Sequence, residues 1–245
     1  MNPLPRPGAY FIAGTDTDAG KTTIACALLA AARKQGLSTL ACKPVASGSC
    51  PTPDGLRNSD ALSLAGQCSI QIPYVQLNPH AFAPAIAPHL AAADAGVTLQ
   101  VQTLQQQVQH ILDYRADLCL IEGAGGWRVP LNDQENLSDL AIALQLPVIL
   151  VVGMKLGCIN HALLSAEAIL NDGLPLAGWI ANQIDPRMDR ARDNLHSLQQ
   201  RMPAPLLAAV PWQTGATPEQ LVPHVSDSLA RLCYPLPATQ SAPQS

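Results

Sequence analysis

Ten residues, Gly14-Thr15-Asp16-Thr17-Asp18-Ala19-Gly20-Lys21-Thr22-Thr23, constrain this chain more than any other stretch. An apolar run, Ala9 to Ala13, precedes them, and a helix-prone run, Ile24 to Ala32, follows. A strand, a glycine-bearing loop ending in Gly-Lys-Thr and then a helix is the context of a phosphate-binding loop. The N–H groups at the helix start lack partners within the helix, and the helix dipole adds positive charge there. Gly20 lets the backbone come close to an oxygen. Lys21 can reach β- and γ-phosphates, and the Thr22 hydroxyl suits Mg²⁺. Five residues separate the two glycines instead of the usual four, so Thr15 stands where the first glycine belongs. The plain alternative is a chance Gly-Lys-Thr at an ordinary helix start, and the flanking strand and helix weigh against it.

The rest of the chain alternates strands with helices. Strands are read at 37–43, 117–122, 147–153, 175–182 and 205–210. Helices are read at 99–114, 137–144, 160–171, 188–201 and 218–232, with a shorter helical run at 61–65. In the helix at 99–114, Val101, Leu104, Val108, Ile111 and Leu112 share one face and glutamines lie opposite. Residues 49–60 read as a long loop. Residues 70–98, with Pro73, Pro79, Pro84 and Pro88, read as an irregular excursion suited to a lid or substrate wall. Continuous apolar strands between helices imply one α/β domain, with a mostly parallel sheet covered by helices on both faces. That domain is placed at 9–233, between a short tail at 1–8 and a Pro/Ala/Gln/Ser-rich tail at 234–245 expected to be disordered.

A chain of 245 residues with 48% hydrophobic residues can bury one large core. The net charge of −4 and the lack of a basic tract argue against a nucleic-acid or membrane surface. Seven cysteines without a C-x-x-C pair, three of them (Cys26, Cys42, Cys119) in apolar runs, read as reduced thiols of a cytoplasmic protein. Residues 1–8 carry no apolar stretch of a secretory signal.

In a parallel sheet, ligands bind at the carboxyl ends of the strands. Those ends carry Lys43, Glu122, Gly153-Met154-Lys155 and Asn182. Glu122 sits where a Walker-B type acid belongs; with Asp60 and Thr22 it offers Mg²⁺ hard oxygen donors, its alternative role being a helix cap. Lys43 is either a second cation at the phosphates or a snorkelling surface residue. Ser47 can bond a substrate from the same loop. Asn182-Gln183-Ile184-Asp185 resembles the N-K-x-D guanine box with Gln in place of Lys, which leaves adenine and guanine both open.

Six blocks taken together resemble the dethiobiotin synthetase family: 14–22, Lys43-Pro44-Val45-Ala46-Ser47-Gly48, Arg57-Asn58-Ser59-Asp60-Ala61, Glu122-Gly123-Ala124-Gly125-Gly126-Trp127, 152–161 and Gly178-Trp179-Ile180-Ala181-Asn182. They run in order from about residue 9 to about 213, and the five-residue spacing is itself that family's pattern. The resemblance implies a P-loop NTPase fold and an ATP- and Mg²⁺-dependent homodimer acting on 7,8-diaminopelargonate and CO₂. By resemblance Lys21 and Lys43 neutralise carbamate and phosphoryl oxygens, and Thr17 and Ser47 bond the diamine or its carbamate. Thr22, Asp60 and Glu122 hold the metal. By the same resemblance the nucleotide contacts are Asp18, Ala19, Gly20, Lys21, Thr22 and Thr23, with Gly123, Ala124, Gly125, Asn182, Gln183, Pro211, Trp212 and Gln213; Glu219, past the matching stretch, is a further candidate for the adenosine. Gly157, Cys158, Ile159 and Asn160, at a helix start, suit the substrate's tail carboxylate across a two-fold interface.

The chain departs from the family at Asp18, where the family carries Glu, and beyond Gln213, where the match fades. Two other functions use the same architecture: a partitioning ATPase that switches a partner, and a GTP-binding module. A switch has no need of the diamine pocket that Lys43, Ser47 and Asp60 would form.

Overall fold

The computed structural model describes residues 8–233. In chain order the elements are β1 (Ala9–Gly14), α1 (Lys21–Lys34), β2 (Thr39–Cys42), β3 (Val45–Ala46), β4 (Cys50–Thr52) and β5 (Gly55–Arg57). Next come α2 (Ser59–Gln67), α3 (Tyr74–Leu77), β6 (His80–Ala81), α4 (Pro88–Asp94), α5 (Val101–Leu112), β7 (Leu118–Glu122) and α6 (Leu137–Leu144). The chain ends with β8 (Val148–Met154), α7 (Cys158–Asn171), β9 (Leu176–Gln183), α8 (Ala191–Arg201), β10 (Leu206–Val210), α9 (Pro218–Val225) and α10 (Leu229–Leu232). The expectations for the two tails fall on residues 1–7 and 234–245, outside the described residues; Gly8 is buried, and its carbonyl accepts from Cys119 N at 2.7 Å.

Six strands form one parallel sheet in the order β10-β9-β8-β1-β7-β2. Every residue of β1, β2, β7 and β8 is buried, as strands covered on both faces must be. From β1 the chain moves toward β2, but from β7 onward it moves the opposite way. Right-handed crossovers then place α1 on one face and α5 to α8 on the other. α1 packs with α2 and α9, α5 with α6, and α7 with α8, which agrees with that division. The loops leaving β1 and β7 therefore diverge, and a crevice opens where the topology switches.

The apolar face of α5 consists of Val101, Leu104, Val108, Ile111 and Leu112, all buried. The residues at 49–60 differ from the expected loop: β4 and β5 form an antiparallel hairpin around Pro53-Asp54-Gly55, with Gly55 at φ +100°. That tripeptide is a turn signal in its own right. The excursion at 70–98 contains α3, β6 and α4, and β6 pairs in parallel with β3. The closing helix is broken: Ser226–Ser228 tightens into a 3₁₀ turn after α9, where Pro223 already removes one backbone bond.

Candidate functional site

The phosphate loop leaves β1 at Gly14 and is braced on β8. Thr15 N donates to Val151 O at 3.0 Å, and Thr15 Oγ1 accepts from Gly153 N at 3.2 Å. The residue in the first-glycine position is thus an anchor to the neighbouring strand. Asp18 and Gly20 both adopt left-handed backbone, at φ +60° and +88°. A short acid tolerates that region better than a longer one, a physical reason for Asp at this position. Asn182 Nδ2 donates to Ala19 O at 3.0 Å, and a Cβ on Gly20 would lie 2.0 Å from that nitrogen. Lys21, only 7% exposed, bonds Gly125 O at 2.7 Å and Asp16 O at 3.2 Å. Burial above all holds its pKa below the usual lysine value, with the carboxylate of Glu122 opposing.

Beside the loop lies a charge cluster. The Lys43 ammonium meets Glu122 Oε1 at 2.6 Å and Asp60 Oδ2 at 2.7 Å. Thr22 Oγ1 donates to the same Glu122 oxygen at 2.8 Å. Lys43 is 4% exposed and Glu122 1%. Burial presses the Lys43 pKa down, but the carboxylates of Glu122 and Asp60 outweigh it, and the pKa lies above the ordinary lysine value. Glu122 Oε2 is buried without a hydrogen-bond partner. The snorkelling reading of Lys43 is therefore wrong: the residue is buried, and its amine meets the buried Glu122 and the half-exposed Asp60.

Register explains the meeting. Cys42 pairs with Ile121, so Lys43 and Glu122 are the next residues along adjacent strands. Asp60 arrives on the first turn of α2, capped by Asn58, whose Oδ1 accepts from Asp60 N at 3.1 Å and Ala61 N at 3.2 Å.

These groups open onto a cleft of about 880 Å³. Of the expected residues it is lined by Thr17, Asp18, Gly20, Lys21, Thr22, Thr23, Lys43, Ser47, Asp60, Ala124 and Gly125. Ser47 Oγ is buried there and has no partner. Ala19 and Glu122 lie behind the lining, while Gly123 packs where a Cβ would come 3.0 Å from the Phe11 ring. The opposite wall is Ala85 to Pro88 with Arg128, Val129 and Pro130; the sequence marks Pro88 and its excursion but carries no motif at 128–130. The excursion supplies its first half, tied down by Gly48 N donating to Pro84 O at 3.0 Å. Arg128 is anchored to Asp172 by bonds of 2.6 and 2.7 Å.

Two groups of expected residues lie outside this lining. Asn182, Gln183 and Pro211 to Gln213 gather at the ends of β9 and β10, where Val210 pairs with Asn182. There Asn182 spends one amide hydrogen on the phosphate loop, and Gln183 Nε2 bonds Asp185 O at 2.6 Å. Asp185 Oδ1 accepts from Arg187 N at 2.9 Å, a local turn bond. Glu219 Oε1 accepts from Gln67 at 3.3 Å. Gly157 to Asn160 begin α7, with Gly157 at φ +95° and Leu156 beside it 91% exposed. Lys155 in the same loop pairs with Asp16 of the phosphate loop at 2.9 Å.

The parallel sheet, the loop between β1 and α1 and the buried acid ending β7 define a P-loop nucleotide-binding protein of the α/β class. A family model described as an AAA domain matches residues 8–220. A solved MinC:MinD cell division protein complex from Aquifex aeolicus shares the fold, with a TM-score of 0.59, 15% identity and coverage of 95% of this chain and 99% of that one. The chain is 62% identical over 217 residues to ATP-dependent dethiobiotin synthetase BioD of Pseudomonas aeruginosa (strain UCBPP-PA14), covering 89% of this chain and 95% of that protein. It is 57% identical to the protein of that name from Chromohalobacter salexigens, covering 90% and 96%. The chain belongs to the ATP-dependent dethiobiotin synthetase family, and so it is an ATP-dependent ligase of biotin biosynthesis. That membership sets aside the partitioning ATPase and the GTP module. Among the described residues no helix is long and apolar enough to cross a membrane.

Two outcomes follow from the loop. Gly20→Ala forces alanine into left-handed backbone and against Asn182, at a cost of about 1–2 kcal/mol; ATP affinity measured by calorimetry should weaken on the order of 10-fold. The bond from Lys155 holds the Asp16 carboxyl below its ordinary 3.8. Its stabilisation is present above that value and is lost as pH falls through the lowered pKa. Both side chains are over a third exposed, so Asp16→Asn should lower unfolding stability in urea at pH 7 by under about 1 kcal/mol, a difference that should shrink as pH falls below 3.8 and through the lowered pKa.

Proposed function

We propose that this ligase joins CO₂ to 7,8-diaminopelargonate and closes the cyclic urea of dethiobiotin, the penultimate step of biotin biosynthesis, with release of ADP and phosphate. The observation that carries the reading is one cleft lined by Lys21, Lys43 and the unpartnered Ser47 hydroxyl beside the phosphate loop. One amine captures CO₂ as a carbamate. A carbamate oxygen attacks the γ-phosphorus of ATP, ADP leaves, and a carbamic–phosphoric anhydride results. The second amine attacks the carbonyl, expels phosphate and closes the ring.

Two anions must meet in line, so the residues' main task is charge neutralisation and positioning. Lys21 and Lys43 do this from buried positions, where charge acts through low dielectric. Thr17 and Ser47 orient the diamine or its carbamate, and the apolar wall at Ala85 to Pro88 faces the substrate. Asp18 to Thr23 wrap the triphosphate, followed by Gly123, Ala124 and Gly125. Asn182, Gln183 and Pro211 to Gln213 hold the base.

Thr22, Asp60 and Glu122 would hold Mg²⁺. Among the described residues no three His, Cys, Asp or Glu side chains form a metal cluster, so water and phosphate oxygens must complete the shell. The donor set fits: all three groups offer hard oxygens, and Glu122 Oε2 lacks a partner. When bound, the ion supplies neutralisation of phosphate charge.

The working unit is a single domain at 9–233, acting in the cytoplasm as a homodimer. Gly157 to Asn160 do not line their own chain's cleft, which suits a role in a partner's cleft toward the substrate carboxylate. The exposed Leu156 and Leu164 beside them are what a second copy would cover.

An assay with ATP, Mg²⁺, bicarbonate and the diamine tests the reading. Phosphate release should require both bicarbonate and diamine and match dethiobiotin formed; equal hydrolysis without them would sink the proposal. Lys43→Gln, which keeps a donor for Glu122, should lower turnover by roughly 10²-fold with ATP affinity nearly intact. Glu122→Gln should raise the Mg²⁺ concentration needed for half-maximal rate.

A further inference from the structure

We infer that the Tyr74 hydroxyl is a positioning group for this reaction: it ties the strand end carrying Lys43 to the helix start carrying Asp60. The inference rests on the function proposed above and adds a residue that touches neither substrate nor nucleotide in it.

The hydroxyl both accepts and donates. Asn58 N donates to Tyr74 Oη at 2.8 Å, and Oη donates to Asn78 Oδ1 at 3.0 Å. Asn78 Nδ2 then donates to Lys43 O at 2.7 Å. Lys43 N donates to Leu77 O at 2.8 Å. Both backbone polar groups of Lys43 are therefore held by the short stretch from Tyr74 to Asn78. On the other side, Asn58 caps α2 and so fixes Asp60, while its Nδ2 donates to Ser47 O at 3.1 Å. One oxygen atom thus links the backbones that carry Lys43, Ser47 and Asp60.

Asn58 and Asn78 are 4% and 3% exposed, so their polar groups depend on these partners. The ring of Tyr74 has a separate support: the Arg57 guanidinium carbon lies 4.3 Å from the ring centroid. Phenylalanine can keep that stacking and lose only the hydroxyl. Asn58 N and Asn78 Oδ1 are then left to rearrange, and small displacements of reacting groups are costly in rate.

The test compares Tyr74→Phe with wild type in dethiobiotin formation, ATP binding and thermal unfolding. The expected result is a kcat on the order of 10-fold lower with ATP affinity within about twofold. In a Lys43→Gln background the same change should cost clearly less than in wild type, because one of the groups it positions is gone. A kcat near wild type in folded Tyr74→Phe would overturn the inference, and so would an undiminished loss in the Lys43→Gln background, which marks a merely structural role. Should Tyr74→Phe fail to fold, Asn78→Ala is read in the same way. If the wild-type protein forms no dethiobiotin, the functional reading fails by itself. The positioning claim is then decided by mass-spectrometric acylation of Lys43 with acetic anhydride: faster labelling in Tyr74→Phe supports it, and unchanged labelling refutes it.

Discussion

A lysine buried to the depth of Lys43 stays charged only if a counter-charge is buried with it. Glu122 is that buried charge, the half-exposed Asp60 adds a second contact from the cleft, and the rest of the site is arranged around them. Parallel register sets Lys43 and Glu122 on adjacent strands at one height. A shift of one residue would turn one of them to the other face. Such a cluster adds little net stability, because desolvation offsets the attraction, yet removing one partner leaves an expensive buried charge. What the cluster provides is a cation held in low dielectric beside the phosphate loop.

The topology supplies the place. β1 and β7 are neighbours whose following loops diverge, so the loop carrying Lys21 and the turn carrying Gly125 border one crevice. The MinC:MinD complex shows that this sheet architecture occurs with little shared sequence. Fold alone therefore selects no reaction. What this chain adds around the phosphate loop is the loop after β2 with Ser47, the start of α2 with Asp60, and the wall at Ala85 to Pro88, all lining one cleft. A layer of buried amides and one phenol holds the first two of these together through hydrogen bonds.

Much of this was legible in the residues. The phosphate loop, the acid ending β7 and the amphipathic α5 announce themselves through local spacing, because a helix start, a strand end and a 3.6-residue period are local properties. Other parts were not legible. Pro53-Asp54-Gly55 signalled a hairpin, but its strands are too short and too exposed to show alternation. Lys43 before a proline was open between surface and site, since nothing local says which strand will lie beside it. Arg128 to Pro130 follow the glycine-rich turn without a motif of their own, and Asn182 braces the phosphate loop from a strand two places away in the sheet.

The main strands and helices, the phosphate loop and the chemical types at the strand ends follow from neighbours in the chain. The inward turn of Lys43, the joining of two loops by Tyr74 and the separation of Gly157 to Asn160 from their own chain's cleft arise from packing in three dimensions. The reason is physical: burial and counter-charge depend on strand order and register, which no local pattern of residues specifies.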